Sequence, residues 1–495
     1  MSRAMSRNTM RCLEIAFLVT LLNLLLSFTV VQWYSADSSS QEASLSQDSR
    51  LLLSVEYQDS PHTNPLSTPS ASSEATAPAA DIKSSPDVRP SKTGDGQVTA
   101  NNNIPAAATS DAITLDLSRG VWDKFRMFRS HMFTVTGDSW TQLSSSRLLC
   151  LGAQTSVDRL YELTELVTNW SGPMSIAVFV PDIELGIALR YIQYLRGCHP
   201  AIRSQVSFHL IYPRDHPGVR EVALDEVVGS LDCKQPKQVL QFMLDTREKD
   251  MMTWRTSYSY PQNLLRNLAK AGCQTNYTYI PDIDMVPTPG MDLRLETFLA
   301  KDQELGNCTK CAFVIPTYEI STEAGRLPAN KTELVSYIGD KKARQFHQAV
   351  YSINQKSSDL KRWEKIPETD NIETAYKIEK YIFKYEPLYV ARGDTPPFDE
   401  RFIGFGMTRN TQVYEMYVAG YSFHLLNNAF TSHWGFQSYS TRPVWRAKQM
   451  EENNGKFDEF AKEVSPIFTK ECVVQNSMFL LCSCQRTTMQ IHTTC

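Results

Sequence analysis

Tyr277-Thr278-Tyr279-Ile280-Pro281-Asp282-Ile283-Asp284-Met285-Val286-Pro287 is the stretch on which the reading of this chain turns. Its first four residues are aromatic or β-branched, the composition of a strand buried in a sheet. Side chains alternate along a strand, so Asp282 and Asp284 are expected to point the same way and meet at its carboxyl end. Two unpaired carboxylates repel and are costly to desolvate, and a divalent cation removes both penalties. Mg²⁺ and Mn²⁺ favour hard oxygen ligands, commonly one or two carboxylates plus phosphate oxygens of a substrate. The chemistry to expect is a metal–diphosphate site. A turn with two solvated aspartates is the plain alternative, and the surrounding sequence decides between them.

Upstream, apolar runs alternate with helical spacing. Arg147 to Ala153 reads as a buried strand, and Ser156 opens a helix with Val157, Leu160, Leu163 and Val167 on one face. Trp170-Ser171-Gly172-Pro173 stops it. Ser175 to Val180 is a second strand, Ile187, Leu189, Ile192 and Leu195 mark a helix, and Val206 to Tyr212 is a third strand. Tyr260 to Ala269 opens a helix that ends at Gly272, just before the Asp-x-Asp strand. This order predicts an α/β fold with a mostly parallel central sheet flanked by helices. Ligands of such sheets sit beyond the carboxyl ends of the strands, where Asp282 and Asp284 fall. Arg266 either reaches a phosphate or lies on a solvated helix face.

Downstream, Cys311 to Pro316, Ile382 to Ala391 and Phe423 to Leu426 are extended, and Val413 to Gly420 reads as a helix and its stop. Pro397-Phe398-Asp399-Glu400-Arg401-Phe402-Ile403-Gly404-Phe405-Gly406 carries two glycines that permit tight turns near a ligand.

The amino terminus sets the compartment. Arg3, Arg7 and Arg11 precede an apolar run from Ile15 to Trp33. That run approaches the ~20 residues needed to cross a bilayer, and basic residues stay cytoplasmic. The expected organisation is a cytoplasmic tail over 1–14, a signal anchor over 15–33 and a disordered Ser/Thr/Pro-rich stem over 34–115. A lead-in follows over 116–145, then a catalytic domain over 146–440 and a Cys-containing extension over 441–495. A cleaved signal peptide is disfavoured by the length of the run. The net charge of −4 leaves no nucleic-acid footprint. Sequons at Asn169, Asn276, Asn307 and Asn330 fit a luminal protein. Ten of the eleven cysteines follow the apolar run, so disulfides are expected. Cys308-x-x-Cys311 has no matching second pair and reads as structural or disulfide-forming, not as a zinc site.

Together these pieces resemble a glycosyltransferase family that includes β-1,4-glucuronyltransferase 1 and the second catalytic domain of LARGE. The resemblance covers about residues 146 to 440. It is carried by Gly172-Pro173 with the strand Ser175 to Val180, by Tyr260-Pro261-x-Asn263-Leu264-Leu265-Arg266-Asn267, and by Asp282-Ile283-Asp284-Met285-Val286-Pro287. Val314-Ile315-Pro316 with Glu319-Ile320, the run Phe398 to Gly406, and Asn428-Ala429-Phe430 with His433 complete it.

The resemblance implies a GT-A-like domain in the Golgi lumen, type II in the membrane, using Mn²⁺ and a UDP-sugar with inversion. It implies transfer of glucuronate to xylose on the O-mannosyl glycan of α-dystroglycan, and leaves room for association with other Golgi transferases. The alternatives are a β-1,3-N-acetylglucosaminyltransferase and an inactive luminal partner protein. The family's usual Asn or Trp and then Lys is replaced here by Met407-Thr408-Arg409-Asn410. Its Met-Pro and second His after His433 are replaced by Trp434-Gly435-Phe436. These departures leave the sugar open.

The site expected is therefore Asp282, Asp284 and His433 on the metal, with Arg266, Asn267 and Asp282 at the donor. A base must take the acceptor proton, and Asp399 and Glu400 are the leading candidates, with Glu415 an outsider. For Asp399 and Glu400 the alternative is an ion pair with Arg401. A glucuronate donor requires a cation for its carboxylate, from among Arg401, Arg409 and Lys384.

Overall fold

In the computed structural model the described residues are 113–220, 232–304, 308–439 and 445–468. They belong to one compact unit, Thr99–Cys495; the other unit, Met1–Val98, lies outside them. The expected tail, anchor and nearly all of the stem therefore fall outside the described residues. Among the described residues no helix is long and apolar enough to cross a membrane.

The strands in chain order are β1 (Val121–Trp122), β2 (Phe128–Val135), β3 (Leu149–Ser156), β4 (Met174–Phe179), β5 (Val206–Pro213), β6 (Tyr277–Tyr279) and β7 (Val286–Pro287). They continue as β8 (Cys311–Ile315), β9 (Thr317–Ile320), β10 (Ala343–Gln345), β11 (Glu373–Lys377), β12 (Leu388–Arg392), β13 (Ser422–Asn427) and β14 (Thr431–Trp434). A 10-stranded sheet runs β1-β2-β5-β4-β3-β6-β12-β8-β13-β11, and a 4-stranded sheet runs β10-β9-β14-β7. The block β5-β4-β3-β6 is parallel, as the strand–helix alternation requires, and β13 runs parallel to β8. β12 enters antiparallel between β6 and β8. The fold is α/β with a GT-A-like central sheet flanked by helices.

Alternation along β4 builds both faces at once. Ile176 and Val178 join Leu151, Phe208 and Leu210 in one core, with Leu185, Ile192 and Leu195 of the helix Glu184–Cys198. Ala177 and Phe179 face the other way and pack on Leu264, Leu265 and Ala269 of the helix Gln262–Gly272. Each such side chain contributes about 1.5–3 kcal/mol when fully buried. Gly272 is where that helix presses on the sheet: a Cβ there would strike the His209 ring and Ser175 Oγ.

Residues 116–145 do more than lead in. Their β1–β2 hairpin extends the sheet by pairing β2 with β5. The helix Trp445–Phe468, in the expected extension, buries Phe457, Phe460 and Val464 against Phe402, Met407 and Tyr414. Gly404 and Gly406 have φ of +78° and +86°, and this helix lies against them, through Gln449 and Met450. Disulfides join Cys150 to Cys273, Cys198 to Cys233 and Cys308 to Cys311. Cys482, Cys484 and Cys495 lie outside the described residues.

Candidate active site

The acids do not continue a strand. β6 ends at Tyr279, and the Met285 amide donates to the Asp282 carbonyl at 3.0 Å, closing a turn over Asp282–Met285. The turn still delivers both side chains just past the carboxyl end of β6, where Asp282 forms an isolated parallel bridge with Gln154 of β3.

Asp282 is held by buried cations. Arg266 Nη2 and Arg409 Nη2 donate to its Oδ1 at 3.0 and 3.1 Å, and the Gln154 amide donates to the same oxygen at 3.1 Å. The Arg266 and Arg409 side chains are only 3% and 7% exposed. Burial alone would raise the Asp282 carboxyl, but the two guanidinium groups hold it well below the usual carboxylate range. Arg266 is therefore no solvated helix residue. The spacing that puts Leu264 and Leu265 against the sheet turns Arg266 toward the acids, where its Nη1 also donates to Asn263 Oδ1 at 3.0 Å. Arg409 begins the helix Arg409–Val418 and anchors itself on the Ile280 carbonyl at 2.7 Å.

Asp284 has different company. His433 Nε2 lies 3.3 Å from its Oδ2, and Arg159 Nη2 donates to that oxygen at 2.8 Å. Its Oδ1 is buried without a hydrogen-bond partner, as is His433 Nδ1. His433 arrives on β14, whose pairing with β7 sets Ser432 opposite Val286 and so returns the chain beside Asp284. Burial would lower the imidazole, yet its hydrogen bond to Asp284 and that charge raise it above 6.5. Asp284 is pulled below its ordinary value against burial, by His433 and Arg159.

The remaining expected residues fall into a neighbouring loop. Asn267 Nδ2 donates to the Phe398 carbonyl and to Glu400 Oε1, each at 2.8 Å, stitching the loop to the helix Gln262–Gly272. Asp399 accepts from Arg401 at both oxygens, and Arg401 continues to Glu463 at 2.6 Å. Lys384 stands 5.8 Å from the Phe383 ring. Glu415, raised by burial, has the charge of Asp399 as its next influence. Asn330 caps the helix Lys331–Gly339 through its side chain, Asn276 is exposed, Asn169 is half-buried, and Asn307 lies outside the described residues.

Sequence reasoning gave no site role to Gln154, Arg159, Tyr260 or Glu386, although Tyr260 opens one of the motifs that carry the resemblance. The Tyr260 hydroxyl donates to Gln154 Oε1, which fixes the amide that holds Asp282. Burial raises the Glu386 carboxyl, which feels Arg409 and Arg266. A polar side chain closing the buried run of β3 was the one signal available for Gln154.

A metal fits this geometry on one count in particular. A carboxylate oxygen buried without a partner is costly, and Asp284 Oδ1 is such an atom, beside an imidazole that is a nitrogen ligand when neutral. Among the described residues no group of three or more His, Cys, Asp or Glu stands in ligating array. Protein ligation of a metal here would therefore rest on Asp284 and His433.

An acid pair just past the carboxyl end of β6, backed by two buried arginines, stands where open α/β sheets hold their ligands. Residues 148–469 match the family model described as glycosyl-transferase for dystroglycan, and the chain belongs to that family of glycosyltransferases. It is 32% identical to human beta-1,4-glucuronyltransferase 1 over 319 residues, covering 63% of this chain and 74% of that protein. The zebrafish (Danio rerio) counterpart is 26% identical over 378 residues, covering 71% and 83%. The human xylosyl- and glucuronyltransferase LARGE1 is 26% identical over 312 residues, covering 63% of this chain and 34% of its own length.

Proposed function

We propose that this glycosyltransferase is Mn²⁺-dependent and inverting, and moves glucuronate from UDP-glucuronate to a xylose-terminated O-mannosyl glycan of the α-dystroglycan type. The observation that carries the reading is the orphaned Oδ1 of Asp284 beside His433, next to two buried arginines. Asp284 and His433 would hold the metal, with Asp282 pinned beside them by Arg266 and Arg409. When bound, the metal supplies Lewis-acid stabilisation of the departing diphosphate. Arg266 and Arg409 add fixed positive charge beside it, in surroundings too dry to screen them. Of the cations expected for a donor carboxylate, Arg409 lies in the acid cluster itself, whereas Arg401 is committed to Asp399 and Glu463.

The base that takes the acceptor proton is drawn from the loop beside the helix Gln262–Gly272. Glu400 is less encumbered than Asp399: it accepts from one neutral amide, whereas both oxygens of Asp399 are engaged by a guanidinium. The relatives named for glucuronyl transfer support the donor. The cation pair supports an anionic sugar over a neutral one.

Residues 15–33 are proposed as a type II Golgi anchor with residues 34–115 as its stem. Three disulfides and the exposed sequons Asn276 and Asn330 support a luminal domain carrying glycans. The test is a donor screen of the full chain with Mn²⁺ and a xylose-terminated acceptor, comparing UDP-glucuronate, UDP-N-acetylglucosamine, UDP-xylose and UDP-galactose. Transfer from UDP-glucuronate that chelation abolishes is expected. Transfer from UDP-N-acetylglucosamine alone would replace this reading with the N-acetylglucosaminyl one.

A further inference from the structure

Arg159 belongs to none of the sequence motifs. It lies in the 3-10 helix Val157–Glu162, directly after β3. Its guanidinium reaches in two directions. Nη2 donates to Asp284 Oδ2 at 2.8 Å, while Nε and Nη2 grip Glu162 at 2.8 to 3.1 Å. The side chain is 46% exposed, against 3% for Arg266 and 7% for Arg409. Those two cannot leave Asp282 without stranding a buried charge. Arg159 can leave Asp284, because water reaches it and Glu162 already offers a second anchor.

A divalent cation on Asp284 would bring two positive charges into contact with that guanidinium. Like charges at such distances repel strongly in a half-buried setting. Arg159 and the cation therefore compete for one carboxylate. We propose that Arg159 is an exchangeable counter-ion of Asp284. It holds the acid before metal binds, withdraws onto Glu162 when a divalent cation arrives, and then presents its freed N–H groups to an anionic group of the donor. Arg159 is thereby a specificity residue that couples donor binding to metal binding. This rests on the metal reading of Asp284 and His433.

The test measures Mn²⁺ binding to the full chain by electron paramagnetic resonance, without donor, for the wild type, Arg159→Met, Glu162→Gln and Asp284→Asn. Arg159→Met is expected to bind Mn²⁺ roughly tenfold more tightly, since a competitor has been removed. Glu162→Gln should bind several-fold more weakly, because Arg159 loses its refuge and stays on Asp284. These opposite signs separate competition from general damage to the fold. With Mn²⁺ saturating, Arg159→Met should bind UDP about tenfold more weakly, and Arg159→Lys should recover part of that loss. A loss seen with UDP-glucuronate but not with UDP would assign the contact to the sugar carboxylate instead of the diphosphate. Unchanged or weaker Mn²⁺ binding in Arg159→Met, with binding lost in Asp284→Asn, overturns the counter-ion role alone. Equal Mn²⁺ binding in the wild type and Asp284→Asn overturns the metal reading beneath it.

Discussion

Asp282 and Asp284 are two residues apart and occupy opposite electrostatic situations. Asp282 is pinned through one oxygen: two buried guanidinium groups and an amide converge on its Oδ1. Asp284 is provisional: one oxygen has no partner, and the other takes an imidazole and a half-exposed arginine. Buried cations fix the Oδ1 of Asp282 in place, whereas Asp284 keeps a buried oxygen with no partner. On the proposed reading the two aspartates divide the work, with Asp282 organising the cation pair and Asp284 presenting the open acceptor.

The division can be broken most forcefully by Asp284→Asn. It should lower Mn²⁺-dependent turnover by about 10²-fold or more, the scale of losing a ligand that stabilises transition-state charge. Its melting temperature should fall only modestly, for a loss of about 1 kcal/mol from the His433 contact, because Arg159 can turn to solvent. Asp282→Asn should be the more damaging of the two in a thermal melt. Two buried arginines lose their shared anion, a cost of about 3 kcal/mol. If Asp284→Asn proves the less stable of the two, the comparison fails.

The pH dependence sharpens the same contrast on a smaller scale. Asp282 is depressed far below 3.8, so in acid the unfolded chain takes up a proton that the folded chain refuses. Stability is present above 3.8 and falls as pH drops below it. Asp282→Asn should remove that acid loss from an unfolding curve. His433 is raised above 6.5, so its contribution is complete below 6.5 and fades as pH climbs through the raised value. The deficit of His433→Gln should accordingly reach about 1 kcal/mol at pH 6 and shrink by pH 9. A deficit that grows with pH would mean the imidazole is not charged against Asp284.

The parallel block was legible because its strands are continuous apolar runs and its helices keep helical spacing. Val178 and Leu210 on β4 and β5, and Leu264 and Leu265 on the helix beneath, read directly as core. The 4-stranded sheet was not, because β7, β9, β10 and β14 span two to four residues, too short for any period to register. The hairpin at Val121–Trp122 is exposed and shows no alternation to read. At the candidate site the Asp-x-Asp motif marked both acids and the resemblance marked His433, but neither said how each carboxylate is partnered. That depends on Arg159, 125 residues from Asp284, and Arg409, 127 residues from Asp282. Pairings at such separation leave no local trace. Strand alternation does not orient the two acids, since Pro281 and the turn after it override the period of two.

The proposed metal of this transferase sits on Asp284 and His433, beside an Asp282 held by arginines through its Oδ1. Anomalous diffraction from crystals grown with Mn²⁺ and UDP measures it directly. The account predicts a manganese peak within bonding distance of Asp284 and His433, with Arg266 and Arg409 still on Asp282. A peak elsewhere, or Asp284 still bound to Arg159 with manganese absent from it, would contradict the account.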